Sequence, residues 1–320
     1  MKRQFTSRTA AVLGTVALLP FGLAACGSDS SSSANPDAEF SGEKITLAAV
    51  PSEESTTLES AYGNIADLLE KQLGVEVTFQ NANDYAAVIE GQRAGQIDMA
   101  SYGPFSYVIA SDSGVEVDPI ATLADAADEE PSYSSELHVP AGSDIKGLDD
   151  LRGKNICFVD AASTSGYLVP SYALLNAGID PEKDLTPVMA GGHDASLLSL
   201  DGGNCDAAFA QDTQLGVMED SGQIKPGDVE VVWQSDPIPS SPLTANTGTM
   251  SAELIEAVKK ELLENGNKEK LTELGICESA EDCVLPDDSQ WGYLPVADED
   301  FDVIRQICDV TKAEACNQVG

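Results

Sequence analysis

Asn155-Ile156-Cys157-Phe158-Val159-Asp160 runs into Ala161-Ala162-Ser163-Thr164-Ser165-Gly166 and then into Tyr167-Leu168-Val169-Pro170. The first six residues are an apolar run of strand length, the next six a turn of small polar residues, and the rest opens a helix that Gly178 stops. A strand feeding a helix through a tight turn is the repeating unit of an α/β fold. Two further stretches share the design: Ile97 to Ala100 leads into Ser101-Tyr102-Gly103-Pro104, and Thr186 to Met189 into Gly191-Gly192-His193-Asp194. Helix N-termini carry free N–H groups and the positive end of the helix dipole, so hydroxyl-rich turns at these points suit an oxyanion.

The alternation continues on both sides. Upstream, Ile45 to Val50 reads as a strand, and Tyr62, Ile65, Leu69 and Leu73 recur at helical spacing before Gly74. Val75, Val77 and Phe79 alternate as a second strand, and Asp84 is a plausible N-cap for a helix through Ala94. Downstream, Gly166 to Asn176 and Asp194 to Leu200 read as helices, and Cys205 to Ala210 and Val229 to Trp233 as strands. Extended Ser132 to Pro140 and Ser235 to Pro242 lie between and after these blocks. Two crossings there predict two α/β lobes, residues 44–136 plus 240–320 and residues 137–239, joined by a two-segment hinge around a ligand cleft. The stripe Leu254, Val258 and Leu262 is expected to return the C-terminal part to the first lobe.

The 320 residues include 17 Lys+Arg against 54 Asp+Glu, a net charge of −37. Such a body repels nucleic acids, which are bound by neutralising phosphates with Lys and Arg, so no nucleic-acid partner is expected. The sign of a small ligand stays open, because a pocket's field can differ from that of the surface. At the N-terminus Lys2, Arg3 and Arg8 precede an apolar stretch, Ala10 to Ala25, that ends Leu23-Ala24-Ala25-Cys26. Residues 1–25 read as an export signal. The ending resembles the lipobox of bacterial lipoproteins, which implies acylation of Cys26, a flexible tether over residues 26–43 and a place on the extracytoplasmic face of the cell membrane.

Six other cysteines in an exported chain suggest disulfides. Proximity favours Cys277–Cys283 and Cys308–Cys316, which leaves Cys157 with Cys205, although six cysteines allow fifteen pairings. No metal or cofactor is expected: there is no Cys-x-x-Cys, and His138 and His193 are the only histidines.

Asn83 to Glu90, Ile97 to Tyr107, Ser163 to Pro170 and Gly191 to Ala195 resemble successive signatures of the phosphonate- and phosphite-binding (PhnD-like) lipoproteins of ABC transporters. Ile238-Pro239, Gly292-Tyr293-Leu294-Pro295-Val296 and Asp302 to Arg305 follow in matching order. The resemblance implies a type II periplasmic-binding-protein fold that closes on a phosphonate, phosphite or phosphate and delivers it, as a monomer, to an ABC permease. It also implies that Tyr85 and Tyr102 contact the anion from one lobe and Ser163, Thr164, Ser165 and His193 from the other. Members that take aminoalkyl phosphonates carry acidic residues where Thr213 and Ser241 stand here; Asp212, beside the first, is the candidate substitute.

Because a dianion would favour protonated imidazole, His193 is expected to make affinity fall as pH rises. The competing readings are a ligand sensor reporting to a membrane partner and a hydrolase using Ser163 or Ser165 with His193 and Asp194. The chain has no Gly-x-Ser-x-Gly elbow, which argues against the hydrolase, so no catalytic residue is assigned.

Overall fold

The computed structural model describes residues 39–52 and 55–317. The expected export signal, Cys26 and residues 26–38 of the tether lie outside the described residues. Residues 39–43 form a turn whose Phe40 side chain is buried in the core against the first sheet, and the Phe40 N–H donates to the Leu73 carbonyl at 3.3 Å.

In chain order the first block contains β1 (Lys44–Ala49), α1 (Ser55–Leu73), β2 (Glu76–Gln80), α2 (Tyr85–Arg93), β3 (Met99–Ser101), α3 (Pro104–Asp112) and β4 (Val117–Ala124). The short strand β5 (Ser132–Tyr133) leads to β6 (Ser135–Pro140), β7 (Asn155–Phe158), α4 (Val169–Asn176), β8 (Thr186–Met189) and α5 (His193–Asp201). The second block ends with β9 (Ala207–Gln211), α6 (Gln214–Asp220) and β10 (Val229–Gln234). Strand β11 (Ile238–Pro239) crosses back to β12 (Pro242–Asn246), α7 (Ala252–Asn265), α8 (Lys268–Glu273), β13 (Gly292–Leu294) and α9 (Asp302–Thr311).

Local chemistry sets several of these boundaries. Gly74 ends α1 in the left-handed region at φ +75°, where glycine avoids the Cβ clash. Asp84 caps α2, accepting from the Ala87 N–H at 2.7 Å. Pro104 occupies the first turn of α3, where a missing N–H costs nothing.

The helix expected from Gly166 departs from regular geometry. It opens with a π-helical turn, Thr164–Leu168, before α4. Pro170 has no N–H to offer the Gly166 carbonyl, and that carbonyl instead accepts from Val159 N at 3.2 Å. The close approach admits no side chain: a Cβ on Gly166 would lie 2.3 Å from Val159 Cγ2.

The two sheets share one topology. The first has the order β13-β4-β12-β3-β1-β2 and the second β10-β6-β9-β7-β8. In each, a parallel trio (β2-β1-β3 and β8-β7-β9) is followed by a strand arriving from the other lobe, β12 or β6, which pairs antiparallel with both neighbours. The two crossings pair with each other as β5 and β11, Tyr133 opposite Ile238, so the hinge is a two-stranded ribbon. Strand β6 begins at Ser135, directly after the first crossing.

Packing follows the expected stripes, with one addition. Tyr62, Ile65 and Leu69 of α1 and Leu254, Val258 and Leu262 of α7 bury one face of the first sheet. The C-terminal part does not pack on the first lobe alone. Phe301 and Ile304, at and just inside the start of α9, join a core that also contains Phe105 and Tyr107 of α3 and Leu168 and Val169 of the second lobe. Arg305 of α9 pairs with Asp112 of α3 at 2.9 Å. Three disulfides form, Cys157–Cys205, Cys277–Cys283 and Cys308–Cys316, with Cα separations of 5.8, 5.3 and 5.7 Å. Cys157 lies on β7, whereas Cys205 precedes β9 rather than sitting inside it.

Candidate functional site

Tyr85, Tyr102, Ser163, Thr164, Ser165 and His193 line one cavity of about 30 Å³ between the lobes. Its floor is made by the carboxyl ends of β1 and β3 and the turn after β7, the edge where ligands collect in open α/β sheets. Ser52, Tyr62, Ser101, Tyr133, Gln211, Ser241 and Asp287 complete the polar lining.

Side chains in this lining hold one another. Tyr85 hydrogen-bonds the Ser163 side chain, and Tyr133 those of Thr164 and Ser165. Ser163 Oγ accepts from the Gly166 N–H at 3.1 Å, and the Ser135 hydroxyl donates to the Ser165 carbonyl at 2.6 Å. Burial holds the phenols of Tyr85, Tyr102 and Tyr133 well above the usual tyrosine range, so each remains protonated and able to donate. The Tyr102 hydroxyl is buried and has no partner among the described residues.

Backbone amides also donate across the cleft. The Phe105 N–H, in the first turn of α3, donates to Thr164 Oγ1 at 2.9 Å, and the His193 N–H, at the start of α5, donates to the Ser52 carbonyl at 2.7 Å. These two helix N-terminal amides therefore hold the opposite lobe. The expectation that such groups face the anion is revised at both positions.

His193 departs from its expected role as a titrating donor. Its Nδ1 accepts the Gln211 N–H at 3.0 Å, so the ring proton is on Nε2 and the imidazole is neutral. Burial, and secondarily the nearby His138, lowers its pKa to about 3. Affinity should then carry no imidazole titration between about pH 5.5 and 8.5, and calorimetry of His193→Asn should reproduce the wild-type pH profile at lower affinity. A descending limb present in the wild type and missing in the variant would restore the charged imidazole. A depressed histidine pKa also has a stability consequence. The unfolded chain takes up a proton that the native state refuses, so stability falls as pH drops from about 6.5 towards 3.

Asp212 is not brought into this cavity. Its Oδ2 accepts the Ser134 N–H at 2.8 Å, tying the end of β9 to the hinge, and its Oδ1 is buried without a partner among the described residues. It lines an adjoining space of about 100 Å³ with Asp125, Thr213, Ser241 and Asp287. Tyr133 and Asp287 escaped the sequence reading, which singled out Ser241 only as a place where relatives carry an acid. Tyr133 is the middle of a hinge segment, and Pro286-Asp287-Asp288-Ser289 belongs to no strand–turn–helix unit. Among the described residues, Asp287 is the one formally charged member of the lining, and no Lys or Arg is there.

Residues 47–290 match the family described as the ABC transporter phosphonate periplasmic substrate-binding protein. The chain is 40% identical to the phosphate-import protein PhnD of Mycolicibacterium smegmatis, over 99% of both chains. It is 30% identical to the phosphonates-binding periplasmic protein of Escherichia coli, over 64% of this chain and 62% of the other. The binding component of a Pseudomonas aeruginosa ABC phosphonate transporter superposes with a TM-score of 0.73 at 24% identity, covering 84% and 87% of the two chains. PhnD1 of Prochlorococcus marinus, solved with methylphosphonate, gives 0.70 at 21% identity, covering 85% and 99%. These structural likenesses establish the type II periplasmic-binding-protein fold.

Proposed function

The chain belongs to the phosphonate periplasmic substrate-binding family of ABC transporters, and from that membership we propose that it captures a small phosphorus oxyanion outside the cytoplasm and hands it to a permease. Acylation of Cys26 would hold it at the membrane, since two or more acyl chains outweigh the charge repulsion of an acidic body. Tyr85, Tyr102, Ser163, Thr164, Ser165 and His193 are the proposed ligand contacts, and Asp212 is assigned to the hinge. The proposed lobes swing about the β5–β11 ribbon, with the crossings at Ser134 and at residues 235–241.

The observation that carries this reading is the size and chemistry of the cavity. About 30 Å³ is two to three times what one water centre requires, the scale of a single tetrahedral anion with little or no organic substituent. Neutral hydroxyl and imidazole donors can satisfy its oxygens without a countercharge, and any donor left unmatched in the closed cleft costs about 1–3 kcal/mol. The arrangement also argues against a hydrolase. His193 presents a protonated Nε2 and so cannot accept a proton from Ser163 or Ser165, and its Nδ1 partner is a backbone amide rather than Asp194.

A calorimetric panel of phosphate, phosphite, methylphosphonate and 2-aminoethylphosphonate tests the proposal. One or more of the first three should bind with Kd far below 1 mM, and the aminoalkyl compound more weakly. If none binds tighter than about 1 mM, some −4 kcal/mol, the oxyanion reading fails.

A further inference from the structure

We propose that Asp287 sets the selectivity of this cleft by sharing one proton with an oxygen of the bound anion, so that oxyanions able to carry an O–H are accepted and isosteric ones without it are rejected. The inference rests on the phosphorus-oxyanion reading above and names how that site chooses among anions.

Asp287 lies between α8 and β13, in the short turn Pro286–Asp288. Its backbone is left-handed, φ 53° and ψ 25°, and Asp288 follows at φ 54°. Few non-glycine residues take this conformation, Asp and Asn most readily of them. Here the turn is anchored on both sides. Leu285 and Pro286 are buried before it, and after it the buried Ser289 hydroxyl donates to the Ala124 carbonyl at 2.7 Å. The fold thus holds a carboxyl group in the same lining as Ser163, Thr164 and His193, with the Ser241 side chain hydrogen-bonded to it.

That placement sets an electrostatic problem. An ionised carboxylate and an anion in one small cavity repel strongly at low dielectric, and among the described residues the lining offers no Lys or Arg to separate them. One proton between the two solves it, given either by the ligand's O–H to the carboxylate or by a carboxylic acid to the ligand. The groups facing Asp287 leave this solution intact. Asp288 adds like charge, as do Asp125 and Asp212 across the adjoining space, the phenols of Tyr85, Tyr133 and Tyr293 are protonated, His193 is neutral, and Ser241 is uncharged. Burial raises Asp287 to about 6, which brings its proton affinity close to that of a phosphorus oxyanion's second ionisation. Sulfate and sulfonates are fully deprotonated at that pH and bring no proton. With Asp287 ionised they are left facing a bare carboxylate.

Two isosteric pairs test this: phosphate against sulfate, and methylphosphonate against methanesulfonate, titrated into the purified protein and into Asp287→Asn. Asn keeps the side-chain shape, tolerates the left-handed backbone and adds an amide donor. At about pH 7.5 the wild type should favour the phosphorus member of each pair by at least about 100-fold, and the variant should narrow that ratio at least about 10-fold, mainly by gaining affinity for the sulfur member. The ratio is internal to each protein, so a general loss of affinity cancels. If the variant does not fold, the wild type alone decides: its affinity for methanesulfonate should rise at least about 10-fold as pH falls from about 7.5 to 5, as Asp287 gains its own proton. An unchanged ratio in the variant, no preference in the wild type, or a flat methanesulfonate profile each overturns the role of Asp287. Failure of the wild type to bind any phosphorus oxyanion would instead remove the underlying reading, and the first titrations show which has failed.

Discussion

Tyr102→Phe should weaken binding of the best phosphorus oxyanion by about 5- to 150-fold while leaving the melting temperature of the ligand-free protein unchanged or higher. Both halves follow from one observation, the buried Tyr102 hydroxyl without a partner among the described residues. A buried donor with no acceptor destabilises the free protein, and an anion in the cavity supplies the acceptor, so the group's hydrogen bond is realised in the complex. Removing the donor leaves that acceptor unmatched in the closed cleft, which costs about 1–3 kcal/mol. Ser163 and Thr164 make a useful contrast. Their hydroxyl oxygens also accept from the Gly166 and Phe105 N–H groups, so substitutions there should lower stability and affinity together. A Tyr102→Phe protein that melts earlier, or binds as tightly as the wild type, would place this hydroxyl outside ligand recognition.

The largest expected effect on stability is at Cys157–Cys205. The bridge closes 48 residues of sequence, against 6 and 8 for the two clips. Chain-entropy arguments give about 4 kcal/mol for a loop of that length and about 2 kcal/mol for each short one. The half-cystines also fill the core of the second lobe beside Leu197, Leu200 and Met218, so replacing both by Ala removes packing as well. The double variant should melt about 10 °C or more below the wild type in a thermal scan, whereas opening either clip should cost roughly half as much. Equal losses from all three would mean that loop closure is not what the long bridge contributes.

Much of this architecture is legible along the chain. Strand length, helical stripes and the glycines that end helices are local properties, and Asp84, Pro104 and Gly74 act where their chemistry puts them. The pairing of the cysteines follows from proximity. The π-helical turn at Thr164–Leu168 was hidden because its cause couples two separated residues: Pro170 frees the Gly166 carbonyl, and Val159 takes it. Asp212 spends one carboxylate oxygen on the Ser134 N–H and lines the space adjoining the cavity, a division that its place beside Thr213 in the sequence does not reveal.

The amino-acid sequence by itself determined the two α/β lobes, their double crossing and the hydroxyl-rich turns at strand ends, because each depends on residues within a few positions of one another. Tertiary structure alone decided the state of those turns. His193 became a neutral donor because Gln211, on another element, offers its N–H to Nδ1. The amides of Phe105 and His193 became ties between lobes because Thr164 and Ser52 reach them first. Asp287 entered the cleft from a loop with no motif, held in a left-handed turn. Protonation and charge in a closed cleft depend on which distant atoms meet there and on how much water their meeting excludes.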